Sequence, residues 1–411
     1  MRRPVHDLTQ PGWMIAGAVA ILCLMGLACI YATESAGDGW ASHTVKQTIF
    51  LVGSVLVTLM VLWIGYPRVS RYAYALFIVA LALLVPLALA KGLHFDFGGL
   101  IPCRRGSYRW IKLPGFQLQP SEFVKVAYIL ALAWYLRYRR NYRTLVGMLV
   151  PFLLTMVPLA LIVTEPDLGT AILMLPVPFV MLFVAGAKKR HLLTVALAGL
   201  VCAPLLWSKI QGYQRMRIVG LVLQSESLRS RVIADPDSYR YLCTPRQAST
   251  WPKESGLQLL RSKAALGSGG LFGQGWGHGT YVRYNFLPDR HNDMVFALVG
   301  HQWGLAGCLL VLACYAAIVV AGVEIASETA EPFARLLAVG VVALISAQAI
   351  INVGMTMGLM PITGMTLPFV SYGGSSLLTN FLAVGLLISV SQHRPFLLAK
   401  KPFEYGSAED A

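Results

Sequence analysis

Apolar runs of 17 to 31 residues alternate with short polar breaks along almost the whole chain. About 20 consecutive apolar residues cross a bilayer as a helix, so each run reads as a transmembrane helix rather than a core helix. Ten spans can be drawn, at 13–33, 47–66, 72–91, 121–137, 145–164, 168–187, 191–208, 293–323, 334–355 and 374–392. The pattern predicts an all-α polytopic membrane protein forming one membrane domain over 1–411. Helices 1–7 fill 1–208, a large extracytoplasmic loop spans 209–292, helices 8–10 fill 293–392, and 393–411 is a cytoplasmic tail. The first run starts near Trp13 at full spanning length with no small-residue cleavage site behind it, so it reads as an anchor and not a cleaved signal.

Composition supports the same class. Of 411 residues, 56% are hydrophobic and 13% charged, against roughly 25% charged in a soluble domain. The net charge of +15 could suggest nucleic acid, but its placement argues against that partner. Arg2, Arg3, Arg68, Arg71, Arg137, Arg139, Arg140, Arg143, Lys188, Lys189, Arg190, Arg394, Lys400 and Lys401 fall on one side of the predicted spans. The short loops on the other side, 34–46, 165–167 and 356–373, hold one basic residue, Lys46. Positive charge collects on the cytoplasmic side, so both termini are expected in the cytoplasm, and the long breaks 92–120 and 209–292 outside it. Of seven cysteines, Cys23, Cys29, Cys202, Cys308 and Cys314 lie in spans; Cys103 and Cys243 lie in the outer loops and are candidates for a disulfide.

The stretch Phe286–Gly307, FLPDRHNDMVFALVGHQWGLAG, passes from a charged loop into an apolar run. Asp293 is its last carboxylate, expected at the membrane–water boundary on the first helical turn. Its spacing suits a helix cap, because free amides and the helix dipole favour Asp there; the motifs around it point instead to a catalytic carboxylate at headgroup depth. The outer loop before the fourth span interleaves Arg104, Arg105, Arg109 and Lys112 with Tyr108 and Trp110, as an interfacial belt would. It runs into Gln119-Pro120-Ser121-Glu122, with Lys125 three residues beyond Glu122 and on the same helix face. An ion pair inside a span is costly and points to function.

Thr164-Glu165-Pro166-Asp167-Leu168-Gly169-Thr170 makes a tight outer turn in which Asp167 can cap the sixth span. The long loop offers Arg217 and Arg261 and the segment GSGGLFGQGWGHGT from Gly267 to Thr280, including Ser268. Glycine at that density lets backbone amides approach an anion, although the phosphate-loop and dinucleotide fingerprints are absent. Asn352–Ser376, with Ser371 and Tyr372, is uncharged and rich in Gly and Pro. Such backbone is tolerated at membrane depth only when buried in protein or lining a cavity, so it is expected to dip toward the bundle centre.

Five stretches together, Trp110–Lys125, Thr164–Ala171, Gly267–Gly277, Phe286–Ala297 and Asn352–Ser376, resemble the SEDS family of shape, elongation, division and sporulation proteins, exemplified by RodA and FtsW. The resemblance implies a peptidoglycan glycosyltransferase that polymerises lipid II at the outer face of the bacterial cytoplasmic membrane, working with a class B penicillin-binding protein. It places the catalytic aspartate on Asp293, the intramembrane pair on Glu122 and Lys125, the loop arginine on Arg109 and the SYGGSS segment on Ser371–Ser376. Gln119, Asp167, Arg217, Arg261, Ser268 and Tyr372 complete the expected substrate-binding set. A divalent cation, Mg or Mn, shared by Asp293 and the pyrophosphate is compatible with the chemistry.

The chain departs from the family at Gly300-His301, where two glutamates are usual, at Asn292 and Asp289, and in a longer segment near 227–252. The Phe286–Gly304 motif is closer to the elongation branch. An FtsW-like septal enzyme, a lipid II flippase and a scaffold for partner enzymes are the alternative readings. No internal repeat of transporter type is visible, and a scaffold leaves Glu122 and Lys125 unexplained.

Overall fold

The computed structural model describes residues 11–35, 42–93, 99–103, 107–113, 116–139, 141–209, 212–283 and 292–393. Arg2, Arg3, Arg104, Arg105, Arg140, Asp289, Arg394, Lys400 and Lys401, singled out above, lie outside these ranges. The first half contains α1 (Pro11–Ser35), α2 (Ser42–Ile64), the short α3 (Tyr66–Arg71), α4 (Ala73–Leu93), α5 (Pro120–Leu136), α6 (Leu149–Thr164), α7 (Leu168–Met174), α8 (Pro176–Ala185) and α9 (Lys189–Lys209). A two-stranded antiparallel ribbon, β1 (Ile111–Leu113) and β2 (Phe116–Leu118), leads into α5.

The expected outer loop holds α10 (Gly212–Leu223), α11 (Glu226–Ala234), α12 (Pro245–Thr250), α13 (Leu257–Ser268) and α14 (Thr280–Arg283). Then come α15 (Val295–Glu328), α16 (Pro332–Met357) and α17 (Gly374–Gln392). Among the described residues, eight helical stretches are long and apolar enough to cross a membrane. The other two of the ten expected spans, at α5 with 17 residues and α9 with 21, are not among those eight.

Packing follows hydrophobicity. α16 is buried on nearly every side, from Phe333 through Leu337, Val341 and Ile345 to Met355, and touches α5, α8, α13, α15 and α17. α1 packs along α15, and α2 along α17. On α2, by contrast, Val45, Ile49, Val52, Leu56, Leu59 and Trp63 are exposed at helical spacing. An apolar stripe that wide is a lipid-facing surface, since contiguous apolar patches are avoided in water.

The expected unbroken eighth span is kinked. Gly304 in α15 has φ 63° and ψ −154°, outside helical space. A break leaves amides and carbonyls without their helical partners, which hydrocarbon cannot satisfy. The glycine-rich segment supplies them: Leu305 N donates to Gly270 O at 2.9 Å and Ala306 N to Leu271 O at 3.1 Å. In return Gln274 N donates to His301 O at 2.9 Å and Gly275 N to Gln302 O at 3.1 Å. A Cβ on Gly273 would stand 2.2 Å from Gln302 O, which is why glycine is required at this crossing. The segment read from sequence as an anion nest therefore spends these amides on mending a helix.

Candidate functional site

Asp293 lies two residues before the first residue of α15, not on its first turn as expected. The N-cap is Met294, and no side chain caps the helix. The carboxylate turns instead toward the loop after α16: a Cβ built on Gly364 would lie 3.4 Å from Asp293 Oδ2 and 3.7 Å from Arg217 Nη1. Arg217, on α10, also donates from Nη1 to Thr363 O at 3.1 Å. Asn352 fixes the backbone beneath, donating to Asp293 O at 3.2 Å and to Met365 O at 2.6 Å.

The uncharged loop does enter the bundle: Thr363, Met365, Leu367, Phe369, Val370 and Ser371 are buried. Tyr315 of α15 donates to Pro368 O at 2.5 Å, and Gln348 of α16 to Thr366 O at 2.9 Å. Ser371 Oγ accepts from Leu367 N and donates to Asn292 O at 2.5 Å, next to Asp293. Phe369 sits at φ 66°, a left-handed backbone uncommon for a bulky residue, in a turn closed by Val370 N to Leu367 O. Tyr372 meets His43 of α2 edge-on, with centroids 5.1 Å apart, and His43 bonds Glu34 at the end of α1. The Tyr372 hydroxyl is pushed above its usual range by burial.

A second polar knot is built on the Glu165–Asp167 turn. Arg109 Nε donates to Glu165 O at 3.1 Å, its Nη2 to Pro166 O, and its Nη1 lies 3.8 Å from Asp167 Oδ1. Asp167 caps α7 as expected, accepting from Thr170 N and from Thr170 Oγ1 at 2.8 Å. It also accepts from Gln119 Nε2 at 3.2 Å and Ser121 Oγ at 3.3 Å. One turn along α5, Lys125 Nζ donates to Glu122 Oε2 at 2.9 Å, with Lys125 only 2% exposed. The two knots meet at the loop: a Cβ on Gly169 of α7 would strike Met365 Cγ at 2.6 Å and lie 3.1 Å from Thr363 O. Thr363–Met365 is thus approached both by α7, whose cap is Asp167, and by Arg217 and Asp293.

The remaining expected residues lie elsewhere. Ser268 donates to Ala265 O and meets His301 Nδ1 at 2.7 Å, so it belongs to the mended break. Arg261 is half-buried on α13. Cys103 is exposed and Cys243 buried against Trp251, and both are free thiols.

Sequence reasoning gave Glu165 no role beyond its place in the outer turn. It is completely buried, and neither carboxyl oxygen has a hydrogen-bond partner. Burial first, then the Asp167 charge, pushes its pKa up to about 9 against the opposing pull of Arg109, so it is protonated at neutral pH. Thr363 and Gly364 were also missed as individual residues. Their only signal was the Gly- and Pro-rich, uncharged character of the loop.

Comparison with known proteins gives the family. The sequence pattern of the cell cycle protein family FtsW/RodA/SpoVE matches residues 8–395. The chain is 33% identical over 399 residues, 95% of each chain, to a probable peptidoglycan glycosyltransferase FtsW of Trichlorobacter lovleyi. It is 34% identical over 354 residues, 86% of each chain, to the peptidoglycan glycosyltransferase MrdB of Escherichia coli. Among solved structures it resembles a chain from work on coordinated polymerisation and crosslinking by a peptidoglycan synthase complex. That likeness has a TM-score of 0.71 at 26% identity and covers 93% of this chain and 98% of the other. The Thermus thermophilus rod shape determining protein RodA matches with a TM-score of 0.62 at 25% identity, over 93% and 97% of the two chains. With residues 8–395 matched by the family pattern and relatives aligned over nearly its whole length, the chain belongs to the FtsW/RodA/SpoVE family of membrane proteins.

Proposed function

We propose that the chain is a peptidoglycan glycosyltransferase that polymerises lipid II at the outer face of the cytoplasmic membrane, with both termini cytoplasmic. The observation that supports this most is the approach of Asp293 Oδ2 and Arg217 Nη1 to the same backbone position, Gly364, in a loop that also packs against Gly169 of the Asp167-capped helix. Glycosyl transfer needs a base for the acceptor hydroxyl and positive charge near the departing pyrophosphate. Asp293 takes the proton as the hydroxyl oxygen bonds to the anomeric carbon. The bond from that carbon to the pyrophosphate oxygen breaks, and its electron pair leaves with the lipid pyrophosphate. Arg217 supplies the nearby positive charge. Arg109 and the Glu122–Lys125 pair position the elements around it, since their polar atoms are bonded within the protein.

Among the described residues, no group of three or more His, Cys, Asp or Glu could hold a metal ion. A divalent cation at Asp293 would take one protein carboxylate and draw its other ligands from pyrophosphate and water, an arrangement that suits Mg²⁺.

The class B penicillin-binding protein is the proposed partner. The assignment to cell elongation rests on the Phe286–Gly304 motif, and the relatives carry names from both branches. Recovery of an elongation or a division transpeptidase with the protein from native membranes decides between them. The activity is tested with Asp293→Asn, which should lower polymer formation from purified lipid II by at least about 10²-fold. Wild-type turnover in that variant would remove Asp293 from the mechanism.

A further inference from the structure

Beside the candidate site lies a cavity of about 430 Å³ between α10, α12 with the turn after it, the start of α13 and the loop after α16. That volume falls in the range of about 300–1,000 Å³ typical of ligand pockets. Its wall includes Met360, Pro361 and Ile362, which lead directly into Thr363 and Gly364, and Arg217, which also faces Asp293. A ligand held here is therefore continuous with the reacting centre.

The lining chemistry is particular. Gln258 faces the cavity, and its Nε2 is buried without a hydrogen-bond partner. Buried polar groups are bonded in about nine cases in ten or more, so an orphaned amide donor marks a place for an incoming oxygen. Glu254 and Thr250 stand together on the wall, with Thr250 Oγ1 donating to Glu254 Oε2 at 3.2 Å. Arg217 places a guanidinium on the same wall. A carboxylate, a guanidinium, an amide and a hydroxyl around one space complement a short peptide, whose amides and charges would meet each of them.

A bare sugar fits less well. Sugar rings are held by stacking on an open aromatic face, and Trp251, the aromatic side chain of the lining, is 1% exposed. Its ring is covered by Gly256, where a Cβ would lie 2.5 Å from Cδ2 and Cε2.

We infer that this cavity is the subsite for the peptide carried by the lipid-linked substrate. It holds that peptide while the sugar hydroxyl beside it is presented to Asp293. The inference rests on the glycosyltransferase reading and names the part of the substrate that the outer helices recognise. Arg217 then serves twice, touching the peptide on one side and the reacting centre on the other.

The test uses the full chain in lipid nanodiscs and two probes: lipid II with its peptide, and the same lipid pyrophosphate carrying the disaccharide without a peptide. Wild-type protein should bind the peptide-bearing lipid roughly tenfold more tightly, the effect of a hydrogen bond to a charged or amide partner. Gln258→Leu and Glu254→Gln should each shift the ratio of the two dissociation constants toward one. A wild-type ratio of one overturns the inference and needs no variant to fold. Equal weakening of both lipids in the variants overturns it as well, because that is a general structural effect. A parallel polymerisation reaction separates the two readings: absence of polymer from wild-type protein sinks the glycosyltransferase reading, while the binding ratios still decide the peptide subsite.

Discussion

Arg217 Nη1 and Asp293 Oδ2 converge on one point, lying 3.7 Å and 3.4 Å from where a Cβ on Gly364 would sit. A side chain at Gly364 would meet both groups at van der Waals distance, so the constraint on this position lies in its backbone. The backbone there has φ 75°, which L side chains rarely adopt. Gly364→Ala should therefore lower polymer formation by about 10²-fold, the scale of a small misplacement at a reacting centre. The check is turnover measured beside a thermal melt; full activity would show that this gap is not used by substrate.

The Glu122–Lys125 pair is buried in α5, and breaking such a pair from one side leaves a charge stranded. Glu122→Leu or Lys125→Met alone should cost about 3–5 kcal/mol of stability, and the double substitution less than either. Thermal or denaturant unfolding in detergent of the three variants measures this. Additive losses would mean that the two side chains act separately.

Glu165 makes stability depend on pH. Its folded pKa of about 9 stands above the unfolded value of 4.5, so between those values the folded state holds a proton that the unfolded state has released. The stabilising contribution is complete below about pH 4.5 and is lost as pH climbs toward 9, at up to roughly 1.4 kcal/mol per pH unit. Glu165→Gln keeps the shape of the neutral acid and removes the titration. Melting temperatures from pH 5 to 9 should show the wild type losing ground to this variant as pH rises; parallel curves would place the carboxyl in contact with water.

Asp167 caps α7 and gathers Gln119, Ser121 and Arg109. Asp167→Ala removes a cap of about 1 kcal/mol and also strands part of the Arg109 guanidinium. A stability loss of roughly 2–3 kcal/mol is expected, together with impaired turnover, because the turn packs under Thr363–Met365. A loss confined to stability would detach this knot from the reacting centre.

The ends of α17 were legible because Gly373-Gly374 and Gln392 bound an apolar run without ambiguity, and the expected 374–392 is the observed helix. Asp167 as a cap was legible for a similar local reason. The break at Gly304 was not, since the polar pair His301-Gln302 just before it is too short to interrupt an apolar run and its partner lies some 30 residues earlier. Asp293 was found by type and position, but its surroundings were hidden. Arg217 comes from the long loop and Asn352 and Gly364 from one stretch some 60 to 70 residues beyond Asp293, and only tertiary packing joins them. Glu165 looked like one more turn acid, because a sequence does not show that a side chain has been sealed from water.

The splice between Gly270–Gly275 and His301–Ala306 also bears on how this protein enters a bilayer. Unescorted, the upper part of α15 would carry bare peptide groups into oil at several kcal/mol apiece. The bent form of α15 is therefore satisfied in a membrane only with the preceding segment in place. The bend and that contact arise together, and a separated α15 would straighten.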